Sequence, residues 1–158
     1  MGTVTWRVFG NGSYDSAFID ASGGVSPYVY TGCDSCGNIA PLYSWFPTGV
    51  GDQICTDGSV NLENCNVTIQ ETNLCVYYSD FNTNVCNLDG ATSNNGSWAV
   101  QKGDSGGPVY IHNGGGLDAY GTISGESGTG QGSSTVFFTP YDLDLYNNFQ
   151  LVCTGVCN

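Results

Sequence analysis

The sequence predicts an all-β protein, and three observations carry that reading. Short apolar or alternating runs are separated by Gly, Asn, Asp and Pro turns at the intervals of barrels and sandwiches. The 24 glycines among 158 residues supply the backbone freedom such turns need. No heptad pattern, internal repeat or stretch long enough to span a membrane competes with it.

Strands are expected at Thr3–Val8, Ser16–Asp20, Gln53–Thr56, Asn66–Glu71, Leu74–Tyr78, Ser97–Val100, Pro108–His112, Asp118–Ser124 and Val136–Thr139. Asn113-Gly114-Gly115-Gly116 reads as a hairpin turn, because glycine accepts the positive φ that tight hairpins require. One short helix is expected near the end of the chain. Thr139 can cap it, Pro140 suits its first position, and Leu143, Tyr146 and Phe149 recur at helical spacing.

Only Arg7 and Lys102 oppose 14 acidic residues, so the formal net charge is −12. Phosphate recognition needs clustered Lys or Arg, which excludes nucleic acid and anionic membranes as expected partners. The low share of charged residues suits an extracellular β protein. Eight cysteines in local pairs (33 and 36, 55 and 65, 75 and 86, 153 and 157) read as disulfides formed in an oxidising compartment. Nearest-neighbour pairing is one of many connectivities that eight cysteines allow. Zinc is the rival reading for Cys33-Asp34-Ser35-Cys36, but no second CxxC follows and His112 is the only histidine. No metal and no cofactor is therefore expected. Met1–Gly10 holds no apolar run long enough for a secretory signal, so an upstream segment is expected.

The residues richest in chemistry are Gly103-Asp104-Ser105-Gly106-Gly107-Pro108-Val109. A serine between glycines on a turn exposes its hydroxyl and leaves its own N–H free. Gly103 lets the chain bend so that its N–H points the same way, and two such donors form a site for a developing oxyanion. Gly106 and Gly107 leave room for a substrate backbone, and Pro108 starts the next strand.

This run resembles the nucleophile motif of the chymotrypsin-like serine peptidases, the family whose triad is the general template for such sites. Tyr14-Asp15-Ser16-Ala17-Phe18-Ile19 is similar to that family's segment around the triad aspartate, with Ser105 about ninety residues downstream. Tyr120-Gly121-Thr122-Ile123-Ser124-Gly125 resembles the strand that pairs with substrate, and Phe137-Phe138-Thr139-Pro140 the last strand before the C-terminal helix. The overall likeness is closest to secreted bacterial, actinomycete-type members. The resemblance implies a double β-barrel: residues 1–30 as the end of the first barrel, and 31–158 as the second barrel with a short C-terminal helix. It implies Ser105 as nucleophile and Asp15 as the acid that orients a histidine. It also implies Gly103 and Ser105 as oxyanion donors, and Ala99, Lys102, Ser124, Gly125 and Glu126 around the substrate pocket. The implied partner is a polypeptide substrate.

The chain departs from that family in its base. The family's histidine precedes the aspartate, yet only fourteen residues precede Asp15 here. On a strand rising about 3.3 Å per residue, His112 lies roughly 13 Å beyond Pro108 and is expected at a hairpin end, out of reach of Ser105. Without a base the hydroxyl is a poor nucleophile, so these 158 residues are expected to show little or no activity alone. Gln101 stands where many members carry a cysteine. Asp104, which the family pairs with a cation, has only Arg7 or Lys102 available. A neutral Ala99 at the pocket floor argues against strict Lys or Arg preference, while Glu126 could attract a cation. Three functions follow: an extracellular serine endopeptidase whose N-terminal fragment is missing, a non-catalytic peptide-binding relative, or a disulfide-rich extracellular β module. A largely missing first barrel would leave strand edges and apolar surface exposed near the N-terminus.

Overall fold

The computed structural model describes residues 2–21, 23–32, 38–128, 132–145 and 153–154. Strands run in order as β1 (Thr3–Val8), β2 (Ser16–Asp20), β3 (Tyr28–Tyr30), β4 (Ile39–Trp45), β5 (Gln53–Thr56) and β6 (Asn64–Tyr78). They continue as β7 (Thr83–Ser93), β8 (Val100–Gln101), β9 (Pro108–Asn113), β10 (Gly116–Glu126), β11 (Gly132–Ser133) and β12 (Thr135–Pro140), followed by helix α1 (Tyr141–Leu145). No described helix is long and apolar enough to cross a membrane.

The main sheet has the order β12-β7-β6-β5-β9-β10-β4-β3, and an additional β10–β12 pairing closes its first six strands into a barrel. Closure depends on β10 serving two partners. Its first part, Leu117–Ala119, pairs in parallel with β4, and its second, Gly121–Glu126, pairs antiparallel with β12. The strands cross so closely at Gly121 that a Cβ there would lie 2.4 Å from the Thr139 carbonyl oxygen.

Side-chain alternation sorts these strands onto two faces. Ile54, Val109, Tyr120 and Ile123 point into the barrel core with Val67, Ile69, Val136 and Phe138. Their alternates Cys55, Tyr110, Leu117 and Ala119 face outward and pack with Leu42 under β3 and β4. β1 and β2 form a separate hairpin, paired only with each other, with Val4 and Ile19 exposed.

Several expectations need correction. Asn66–Glu71 and Leu74–Tyr78 are one strand, β6, which continues through an irregular pairing where Asn73 adopts φ +59. Ser97–Val100 contributes only Val100 to a strand, because Ser97 is held in a turn by the Asn95 side chain. Pro140 ends β12 and the helix starts at Tyr141, one residue late; Tyr146 and Phe149 lie outside the described residues. Disulfides join Cys55 to Cys65 and Cys75 to Cys86, as nearest-neighbour pairing expects. Cys153 is disulfide-bonded, while Cys33, Cys36 and Cys157 lie outside the described residues.

Candidate active site

The turn that carries Ser105 joins β8 to β9 and is closed from within. Asp104 N–H donates to the Gln101 carbonyl at 3.0 Å, and Gly107 N–H to the Asp104 carbonyl at 2.9 Å. Gly106 N–H and the Gly107 carbonyl then bond Ile123 of β10 at 2.8 and 2.9 Å, so the turn is fastened to the barrel wall. Gly103 adopts φ +110, a region that side chains avoid. Among the described residues no acceptor takes the N–H of Gly103 or of Ser105, and Ser105 itself is exposed.

Backbone amides hold Asp104. It is 2% exposed, and its carboxylate accepts the backbone N–H groups of Val60 (2.8 Å), Asn61 (3.2 Å) and Gln101 (2.7 Å). Oriented amides thus surround the buried carboxyl, and among the described residues no salt bridge joins it to Arg7 or Lys102, the two cations available. The chain passes so close at Gly58 that a Cβ there would stand 2.3 Å from the Asp104 carboxyl carbon. Ser59 adds a hydroxyl bond to the Gly103 carbonyl at 3.2 Å.

Ser105 and Asp15 meet through Ser124 on β10. Ser105 Oγ donates to the Ser124 carbonyl at 3.3 Å, and Ser124 Oγ donates to Asp15 Oδ2 at 2.7 Å. The Tyr78 hydroxyl shares Ser124 Oγ at 2.9 Å. Burial pushes the Asp15 carboxyl above the ordinary carboxylate value, partly opposed by the Ser124 bond. Burial also raises the Tyr78 phenol, with the nearby Asp15 charge adding to it. Asp15 belongs to the β1–β2 hairpin, yet the second barrel positions it. Gly12 N–H donates to the Asn84 carbonyl (3.0 Å), Cys86 N–H to the Ser13 carbonyl (2.7 Å), and Thr139 Oγ1 to the Asp15 carbonyl (2.6 Å). The Phe9 ring contacts Phe81 and Tyr78 edge-on at 5.1 and 5.8 Å between centroids.

The residues expected around a substrate pocket divide. Ser124 is buried and occupied with Asp15, and Gly125 lies so close under Tyr78 that a Cβ would stand 2.7 Å from its hydroxyl. Glu126 is half-buried, with Oε2 lacking a partner among the described residues. Burial and Asp104 raise its carboxyl, and the exposed Lys102 lowers it. Ala99 is 1% exposed, packs in the barrel core, and accepts Thr56 Oγ1 on its carbonyl at 2.6 Å. Gly125 and Glu126 pair with β12 on one edge, Ser124 sits at a break in the register, and no described strand covers the other edge. Tyr78 and the Val60–Asn61 amides carry no sequence signal; only the barrel brings them to the site.

His112 is elsewhere. It sits near the end of β9 with its side chain 51% exposed, and its Nε2 lies 2.6 Å from Glu63 Oε1.

The comparisons with known proteins agree with this architecture. The Trypsin family profile matches residues 7–149. The chain superimposes on Cellulomonas bogoriensis chymotrypsin with a TM-score of 0.74 at 27% identity, covering 97% of this chain and 76% of that one. Thermobifida fusca protease A gives a TM-score of 0.70 at 29% identity, over 96% of this chain and 74% of that one. Nocardiopsis protease gives 0.70 at 27% identity, over 92% and 70%. No curated protein sequence matches the chain. Fold, motif and profile agree that this all-β, chymotrypsin-like chain belongs to the trypsin-like serine peptidase family.

Proposed function

We propose that this chain supplies the nucleophile, the acid and the oxyanion donors of an extracellular serine endopeptidase that cleaves peptide bonds through an acyl-enzyme on Ser105. The observation that carries the reading is the link from Ser105 through Ser124 to Asp15, with the N–H groups of Gly103 and Ser105 unpaired among the described residues. Asp15 would orient an imidazole and stabilise its protonated form. Gly103 and Ser105 N–H would receive the negative charge that develops on the attacked carbonyl oxygen. Substrate backbone would pair along the open edge of residues 124–126, with Ala99, Lys102 and Glu126 around the side-chain pocket. The disulfides support an oxidising compartment.

The base is the group these residues do not supply. His112 is engaged by Glu63, and no other histidine is present. The 158 residues alone would therefore hydrolyse little, retaining only what an oxyanion site and binding provide. The test combines turnover of a chromogenic peptide amide, Ser105→Ala and His112→Ala controls, and N-terminal sequencing of protein from its source. Slow or absent turnover, with source protein carrying an upstream histidine and full activity, supports the proposal. Turnover by the 158 residues at the rate of an intact family member, lost in Ser105→Ala, overturns it.

The uncovered edge at 124–126 also suits a second reading, in which a peptide is held by strand pairing and never cut. Source protein that begins near Met1 and binds peptides without cleaving them would favour it.

A further inference from the structure

The Cys55–Cys65 disulfide joins β5 to the start of β6 and closes the loop between them, over a sequence separation of 10. Cys55 is buried and Cys65 exposed. Two ligand-type side chains crowd the same place. The two sulfurs, one His112 ring nitrogen and one Glu63 carboxylate oxygen all lie within 4.8 Å of one another. Two sulfurs, an imidazole and a carboxylate in one small sphere are the donor set of a four-coordinate zinc-class ion, with the sulfurs unavailable while they are joined.

We propose that reduction of Cys55–Cys65 converts this cluster into a Cys55-Cys65-His112-Glu63 site for a divalent metal of the zinc class. The chemistry balances with a small thiol as reductant. Two equivalents break the S–S bond, are themselves oxidised to a disulfide, and leave two protein thiols. The metal then displaces both thiol protons to water and binds two thiolates, the neutral imidazole and the carboxylate.

The geometry needs little adjustment. Metal–ligand bonds of about 2.0–2.3 Å place tetrahedral ligands about 3.3–3.8 Å apart. The sulfurs must open from 2.04 Å, and the Glu63–His112 pair from 2.6 Å, by rotations of side chains of which three are at least partly exposed. The outer contacts are in place. The Tyr110 hydroxyl donates to Glu63 Oε1 at 2.7 Å and lies 3.1 Å from Asp57 Oδ2, while its ring meets the His112 ring edge-on at 5.6 Å. Such outer partners fix the orientation of metal ligands.

The site has a structural consequence independent of any chemistry at Ser105. The loop it closes carries Ser59, Val60 and Asn61, which hold the Gly103 carbonyl and the Asp104 carboxylate. Either the disulfide or the metal keeps that loop shut. Reduction without metal releases it.

Cobalt(II) is the probe, titrated into the full chain before and after gentle thiol reduction and followed by visible and near-ultraviolet absorption. Reduced protein is expected to bind one equivalent with tetrahedral ligand-field and sulfur-to-cobalt bands, displaced by zinc, whereas oxidised protein shows neither. His112→Ala and Glu63→Gln alter partly exposed side chains and remove no thiol, so they control for the other six cysteines. Each is expected to weaken binding by about tenfold or more. If reduction loosens the fold, recovery of the native circular dichroism on adding cobalt supports the site. Bands unchanged in His112→Ala, or no binding by reduced wild type, overturn it.

Discussion

Ser124 Oγ donates to Asp15 Oδ2 at 2.7 Å while the Ser124 carbonyl accepts Ser105 Oγ at 3.3 Å, so one residue of β10 indexes both functional groups. Ser124→Ala removes the donor from a carboxylate that burial already disfavours. The Asp15 carboxyl is expected to titrate higher still, followed by carbon NMR of labelled aspartate, and stability at neutral pH should fall by about 1–3 kcal/mol. An unchanged Asp15 titration would show that the bond does not support the ionised form.

Asp104→Ala should be more damaging than its distance from bulk solvent suggests. Three partly buried backbone N–H groups lose their acceptor together, at a cost of about 1 kcal/mol or more each. We expect a lowered urea midpoint. Asp104→Asn keeps one acceptor oxygen and should lie between the two.

Neighbouring glycines of the turn should respond unequally. A Cβ on Gly106 meets nothing within 4 Å but requires φ +86, a strain of about 1–3 kcal/mol. On Gly107 it would lie 2.2 Å from the Asp57 carbonyl oxygen, which is backbone and cannot step aside. Thermal unfolding should therefore rank Gly107→Ala clearly below Gly106→Ala, with wild type highest.

Stability should fall as the solution turns from acidic to neutral. Asp89 is 2% exposed, its Oδ1 accepts Asn73 N–H at 3.0 Å, and its Oδ2 has no partner among the described residues. Burial raises its carboxyl above the ordinary 3.8; the Thr48 and Asn73 donors oppose this, and the Asp142 charge adds to it. The folded state thus holds this proton more tightly than the unfolded state. Its contribution is complete below about pH 4 and is lost as pH rises through the folded value. Asp89→Asn should gain on wild type progressively from pH 4 to pH 7 in urea unfolding. Asp15, Asp57 and Glu126 share the direction, so a residual slope is expected.

The parts legible in the sequence were those whose physics is local. Thr3–Val8, Ser16–Asp20 and Gln53–Thr56 announce themselves by composition and bounding turns, and the structure gives the same ends. The Gly103–Val109 run carries its geometry in its glycines. His112 follows from strand rise alone. β7 carries no strand signal in its composition, because Thr83–Ser93 contains Asn87, Asp89 and Gly90, all poor strand formers. It is a strand because β6 and β12 flank it. The amides that hold Asp104 were equally invisible, since a backbone donor has no residue type to recognise it by.

The anchoring of the β1–β2 hairpin bears on how the proposed triad would be completed. Bonds from Asn84, Cys86 and Thr139 hold the residues around Asp15 to the barrel that carries Ser105. Asp15 and Ser105 are therefore held in one register by the same barrel. On the proposed reading, an imidazole would meet two groups already registered to each other through Ser124. Restoring such a site would then be a question of effective concentration, set by how a tether or a binding surface presents the imidazole, rather than of refolding the barrel.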